Sequence, residues 1–191
     1  MPEPYTTIEV GYPDWMRDVV DWDATYATDD SRMRLAIELA RQNVLRGTGG
    51  PFGAAVFESA SGSLVSAGVN SVVRLNNSVL HAEVVAIMLA QRRLSSYTLH
   101  GSGLPQHEIV TSCDPCAMCL GAVLWSGVRR MVAGADRADA SALNFDEGPV
   151  FPESHAYLEA RGVAIARGVL RQEAAAVLEL YRRQGGTIYN A

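Results

Sequence analysis

Residues 108–125 read Glu108-Ile109-Val110-Thr111-Ser112-Cys113-Asp114-Pro115-Cys116-Ala117-Met118-Cys119-Leu120-Gly121-Ala122-Val123-Leu124-Trp125. Glu108 to Ser112 predicts a short strand, and Cys116 to Trp125 predicts a mostly apolar, buried helix. Pro115 fits the junction, because it sets the approach to a helix without needing an N–H donor. A strand running straight into a buried helix is the unit of a layered α/β domain.

Working outward, the same alternation recurs. Asp29, Asp30 and Ser31 offer helix caps, and Met33, Ala36, Ile37, Ala40 and Val44 follow at helical spacing to about Arg46. Gly47, Gly49 and Gly50 end that helix. Pro51 to Phe57 predicts a strand, and a Ser61-Gly62 turn leads to a second, Leu64 to Asn70, as a hairpin. His81 to Arg93 predicts a helix with Val84, Val85, Met88 and Leu89 on its apolar side. Val128 to Gly134 is a strand opened by Arg129-Arg130, for which a solvated edge is expected. Tyr157 to Arg161 ends a short helix, Val163 to Ala166 is a strand and Arg171 to Arg183 a last helix. Helices packed against a mixed sheet follow from this order. Residues 1–28, acidic and irregular, are expected as an N-terminal arm held down by aromatics such as Trp15, Trp22 and Tyr26, and residues 29–191 as the domain.

The chain has 191 residues, 48% of them hydrophobic and 19% charged, which excludes a disordered polypeptide. No apolar run is long enough for a membrane span, and residues 1–10 lack the pattern of a secretory signal. A cytoplasmic protein with no membrane association is expected. All 16 basic residues are arginine, and the net charge of −5 argues against a phosphate-tracking nucleic-acid surface. The three cysteines, Cys113, Cys116 and Cys119, fall within one seven-residue stretch. An odd, clustered set points to metal chemistry rather than to disulfides.

Imidazole nitrogen and thiolate sulfur are zinc donors, and a catalytic zinc has three protein ligands plus a water. His81, Cys116 and Cys119 supply three ligands from two predicted helix starts, where the helix dipole favours thiolates. Glu83, two residues past His81, can reach a zinc-bound water as a proton shuttle. The alternative is a closed structural site with Cys113 as fourth ligand, which leaves Glu83 without a role. His100, His107 and His155 fall in polar stretches and are expected at the surface.

His81-Ala82-Glu83 with Pro115-Cys116-Ala117-Met118-Cys119 resembles the H-x-E and P-C-x-x-C signature of zinc-dependent nucleobase and nucleoside deaminases. From about residue 31 onward the chain is most similar to bacterial guanine deaminases of the cytidine-deaminase-like superfamily. The likeness includes Gly49 to Gly53, Gly68-Val69-Asn70, Asn144 to Pro149 and the ending Gly186 to Ala191. It implies a three-layer αβα fold with a mixed central sheet of about five strands flanked by helices. It implies one Zn2+ per chain with a catalytic water, Glu83 as proton shuttle and Glu147 as a second catalytic acid at the leaving amino group. It places Asn70, Phe52, Ala82, Trp125, Phe145 and Tyr189 around the substrate; Trp125, one turn past Cys119, has the best case for reaching the metal pocket. Asp114 stands where glutamate is more frequent and is expected on the solvent side or as a cap. The implied reaction is guanine plus water to xanthine plus ammonia, in purine metabolism.

Competing expectations are an amino-triazine (ammeline) deaminase, a guanosine or other nucleoside deaminase, a tRNA adenosine deaminase and a catalytically silent zinc-stabilised binding domain. A homodimer is expected, with residues 186–191 closing an active site and Tyr189 reaching its own pocket or its partner's.

Overall fold

The computed structural model describes residues 7–190; the first six residues of the expected arm, and Ala191, lie outside the described residues. One mixed sheet carries five strands: β1 (Gly53–Glu58), β2 (Leu64–Val69), β3 (His107–Cys113), β4 (Arg130–Ala135) and β5 (Ala164–Ala166). Their order is β2-β1-β3-β4-β5. β1 runs antiparallel to β2 and β3, whereas β3, β4 and β5 are mutually parallel.

The inner strands are buried on both faces, as a sheet covered by helices on two sides requires. Alternation along β1 sends Ala55 and Phe57 into one core and Ala54 and Val56 into the other. Helices α2 (Asp29–Leu45) and α8 (Arg171–Arg183) cover the first face; α4 (Ala82–Leu94) and α5 (Ala117–Ser126) cover the second. The short helix α7 (Glu153–Ala160) contributes Leu158 to the second core. In α8 the buried set Ala174, Val177, Leu178 and Tyr181 follows a helical period, so its span agrees with the expected one.

Two glycines set how closely the helices approach. A Cβ on Gly53 would strike Ala36 O and Ala40 N of α2, and one on Gly68 would strike Ala82 O and Ala86 N of α4. Each helix backbone therefore rests directly on a strand. That contact explains the first correction: α4 buries Ala82, Val85, Ala86, Ile87 and Ala90, while Met88 is exposed. Small side chains, not the larger Val84, Met88 and Leu89, face the sheet.

Other expectations shift by a residue or two. The α2 cap is Thr28, one residue before the expected group; its Oγ1 accepts from Ser31 N at 3.1 Å and Ser31 Oγ accepts from Thr28 N. Three short helices escape the periodicity: α1 (Met16–Val19), α3 (Val72–Leu75) and α6 (Arg137–Ser141). His107 lies in β3, buried, with Nδ1 2.8 Å from Leu99 O, and is not at the surface. Arg130 is not a solvated edge either. It meets both carboxylate oxygens of Asp29 (2.8 and 2.6 Å) and Glu108, which is itself paired with buried Arg32 at 2.5 Å.

Within residues 7–28, Trp15 Nε1 donates to Thr48 Oγ1 at 3.1 Å, Tyr26 packs on Phe57, and Thr25 bridges Ser63. Among the described residues, no helix is long and apolar enough to cross a membrane.

Candidate active site

Two helix starts converge beside the end of β3. His81 is the N-cap of α4 and Cys116 the N-cap of α5, each with extended backbone, so both side chains stand at a positive helix end. Cys119 lies in the first turn of α5. Its sulfur is 3.6 Å from His81 Nδ1, and the Cys116 sulfur is 3.5 Å from the same nitrogen. All three donor atoms fall within 4.8 Å of one another. Donors held tetrahedrally by one zinc at its usual bond lengths lie about 3.6 Å apart. The donor set and its spacing therefore fit zinc.

Cys113 does not join them. Its thiol donates to Asp136 O at 3.7 Å, and burial holds its pKa well above the ordinary value. Cys116 titrates at about 4, chiefly because the Cys119 thiol hydrogen-bonds to it and His81 adds to the effect. Cys119 keeps its proton by the same pairing.

Two carboxylates face this group. Glu83, in the first turn of α4, is buried, and burial raises its pKa, with the Cys116 charge adding to the effect. Glu147 is pushed up to about 8 by burial and then by the charges of Cys116 and Glu83. Glu147 is held against α5 because its carbonyl accepts from Ala117 N at 2.9 Å. The cavity between them is lined by Phe52, His81, Glu83, Cys116, Glu147, Tyr189 and Asn190, with Cys113 and Asp114 at its edge. Its free volume is about 20 Å³, room for little more than one water with Tyr189 and Asn190 in place.

Asn70 is fully buried next to this wall. Its Oδ1 accepts from Gly50 N (3.3 Å) and Val72 N (3.4 Å), and Nδ2 has no partner among the described residues. Phe145 packs edge-on against Phe52 at 5.1 Å and touches Tyr189 at 5.3 Å, so it supports the cavity from behind. Ala82 is buried at the start of α4 with its side chain in the core. Tyr189 reaches the cavity of its own chain, 6.2 Å from the His81 ring, and burial raises its pKa. The chain turns back because Tyr181 Oη donates to Thr187 O at 2.6 Å and Gly186 N donates to Tyr181 O.

Trp125 is a correction. It is 81% exposed on the outer face of α5, lying over Gly121. Six residues at about 100° each rotate it some 120° away from Cys119, so it cannot share the metal's side of the helix. Asp114 is a second correction: it is 2% exposed, with neither a solvent-side nor a capping role. Its carboxylate pairs with Arg167 at 2.8 Å and with His155 Nε2 at 3.0 Å, so His155 is also drawn in from the surface. The sequence reading missed Asn190, which lines the cavity after the chain reverses at Gly185-Gly186.

Residues 27–135 match the cytidine and deoxycytidylate deaminase zinc-binding region. The guanine deaminase of Bacillus subtilis is 36% identical over 121 residues, covering 63% of this chain and 73% of that protein. A structure of guanine deaminase from Nitrosomonas europaea is 41% identical, covers 95% of this chain and 99% of its own, and has a TM-score of 0.89. A structure of NE0047 in complex with 2,6-diaminopurine is 43% identical, covers 96% and 97%, and has a TM-score of 0.90. With the H-x-E and P-C-x-x-C residues converged on one cavity, the chain belongs to the cytidine and deoxycytidylate deaminase zinc-binding family, whose members are hydrolytic deaminases.

Proposed function

We propose that this chain deaminates free guanine, taking guanine and water to xanthine and ammonia. The observation that carries the reading is one small cavity in which the His81, Cys116 and Cys119 donors meet two buried carboxylates, Glu83 and Glu147. Similarity to guanine deaminases over nearly the full chain supports the substrate. His81, Cys116 and Cys119 would hold one zinc per chain, which would supply Lewis-acid activation of a water at neutral pH. Glu83 takes a proton from the attacking water and returns it to the ring nitrogen beside C2. Its burial raises its pKa, in the direction that favours holding a proton between the two transfers. Glu83 then carries the hydroxyl proton of the tetrahedral centre to the exocyclic amino group, which Glu147 orients by accepting from it, and ammonia leaves as the C2–N bond breaks and the C2 carbonyl forms. Asn70 Nδ2 donates to an acceptor on the purine edge, and Phe52 and Tyr189 close on the ring.

The chain works in the cytoplasm, where three free cysteines and a thiolate donor set persist. It acts as a homodimer built on the exposed apolar side of α5 and α7. Residues 1–28 are the arm, of which residues 15–26 brace α2 and the β1–β2 hairpin, and residues 29–191 are the deaminase domain. Net charge −5 without lysine weighs against a tRNA substrate. Ammonia release from guanine, ammeline, guanosine, adenine and cytosine under identical conditions tests the assignment. Guanine should be turned over at least tenfold faster than the others, and a preference for any other compound overturns the reading.

A further inference from the structure

Among the described residues, Tyr189 Oη and Asn190 Oδ1 at the cavity, and Asn70 Nδ2 buried behind Gly50, have no hydrogen-bond partner. Buried polar groups without partners are uncommon, and a cluster of them beside one cavity marks places where a ligand completes the bonding. The two asparagines differ in sign. Asn70 spends its oxygen on Gly50 N and Val72 N and presents a donor. Asn190 spends its nitrogen: Nδ2 donates to Asp146 O at 2.7 Å. Asp146 N donates back to Asn190 O at 3.0 Å, so the residue is clamped at both side chain and backbone. Flipping the amide would set Oδ1 against the Asp146 carbonyl, two acceptors face to face. Oδ1 is therefore held as a free acceptor on a residue that lines the cavity together with Glu147, the residue that follows Asp146. Among the described residues, neither Glu147 nor any other side chain makes a hydrogen bond to Oδ1.

We propose that Asn190 is a specificity-determining residue, whose Oδ1 receives a ring N–H of the purine base. This rests on the guanine reading above. Guanine carries two such groups, N1–H in the six-membered ring and N9–H in the five-membered ring. A site built to accept an N–H rejects an analogue without it far more strongly than an apolar wall does. A base that lacks the relevant N–H leaves Oδ1 buried and unpaired.

The test uses the full-length, zinc-loaded chain carrying Glu83→Gln, so that bases are bound and not consumed. Dissociation constants are measured for guanine, 2-aminopurine, which lacks N1–H, and 9-methylguanine, which lacks N9–H. They are compared with and without Asn190→Ala, and with a chain ending at Tyr189. Both Asn190 changes should weaken guanine by about 10- to 100-fold. Both should leave one analogue within about threefold, and that analogue names the N–H that is read. Equal weakening of all three bases would mean that the residue only anchors the tail, and unchanged guanine binding would mean that it reads nothing; either overturns the proposal. Failure of the unsubstituted chain to release ammonia from guanine overturns the guanine reading instead, a distinct result.

Discussion

Glu83 reaches the cavity because α4 begins at Ala82, which puts the carboxylate in the first turn, directly after the His81 cap. Glu83→Gln keeps the shape of the side chain and removes its capacity to exchange protons. The variant should retain zinc, measured by metal content, while turnover falls by about 10²- to 10⁴-fold. Turnover near the unsubstituted rate would remove Glu83 from the chemistry. Cys113→Ser makes the converse point. Its sulfur is occupied with Asp136 O and its thiol is held protonated by burial, so metal content and fold should be retained. Loss of zinc in that variant would instead favour a closed structural site. His81, Glu83, Cys116 and Cys119 were legible because short spacing alone places them at helix starts. Asn190 and the Asp114–His155 pair were not, since their partners lie 44 and 41 residues away in sequence and depend on how loops return.

At the scale of elements, the height of α4 above the sheet fixes the position of the site. Gly68 lies under Ala82 and Ala86, where the next heavy atom is backbone and cannot swing aside. Gly68→Ala should lift the start of α4, carrying His81 and Glu83 away from Cys116 and Cys119. Overpacking of this kind costs about 1–3 kcal/mol. We expect a lower thermal midpoint together with weaker zinc retention against a chelator; a variant that loses stability but holds zinc normally would uncouple the two. The buried ion network behaves differently. Glu108 joins Arg32 and Arg130 at the far end of β3 from the site, so Glu108→Ala strands buried Arg32, while Arg130 keeps Asp29. It should cost about 3–5 kcal/mol in denaturant unfolding without changing kcat of the folded enzyme. Periodicity revealed α8 in full because its apolar stripe is continuous, yet it mistook the packed side of α4, where alanines rather than large residues touch the sheet. The outward turn of Trp125 follows from helical angle and was computable from residue count.

Over the whole molecule, large apolar side chains left in solvent are unevenly placed. Met118 and Trp125 on α5 and Phe151 and Tyr157 around α7 are all exposed, and they flank a groove lined by Ala117, Leu120, Gly121, Leu124 and Pro149. Scattered surface hydrophobics need no explanation, but contiguous ones around a groove mark an interaction surface. Trp and Tyr at its rim are the residue types that anchor interfaces. A homodimer through this face would bury Trp125, giving the residue a reason to be apolar that the isolated chain lacks. The groove also touches the site from outside. Ala117, its first residue, donates to Glu147 O, and Pro149 and Phe151 follow Glu147 in the same loop. Association should therefore steady the Glu147 loop as well as cover apolar surface. Trp125→Glu combined with Tyr157→Glu places two charges in the proposed contact, each of which must be desolvated for the dimer to form. In sedimentation experiments at micromolar concentration the parent chain should run as a dimer and the double variant as a monomer. The double variant should also show a reduced kcat/KM that recovers in part at higher protein concentration, because mass action restores the paired form. A parent chain that sediments as a monomer, or a variant that still dimerises, would place the contact elsewhere and leave the exposed Trp125 without this account.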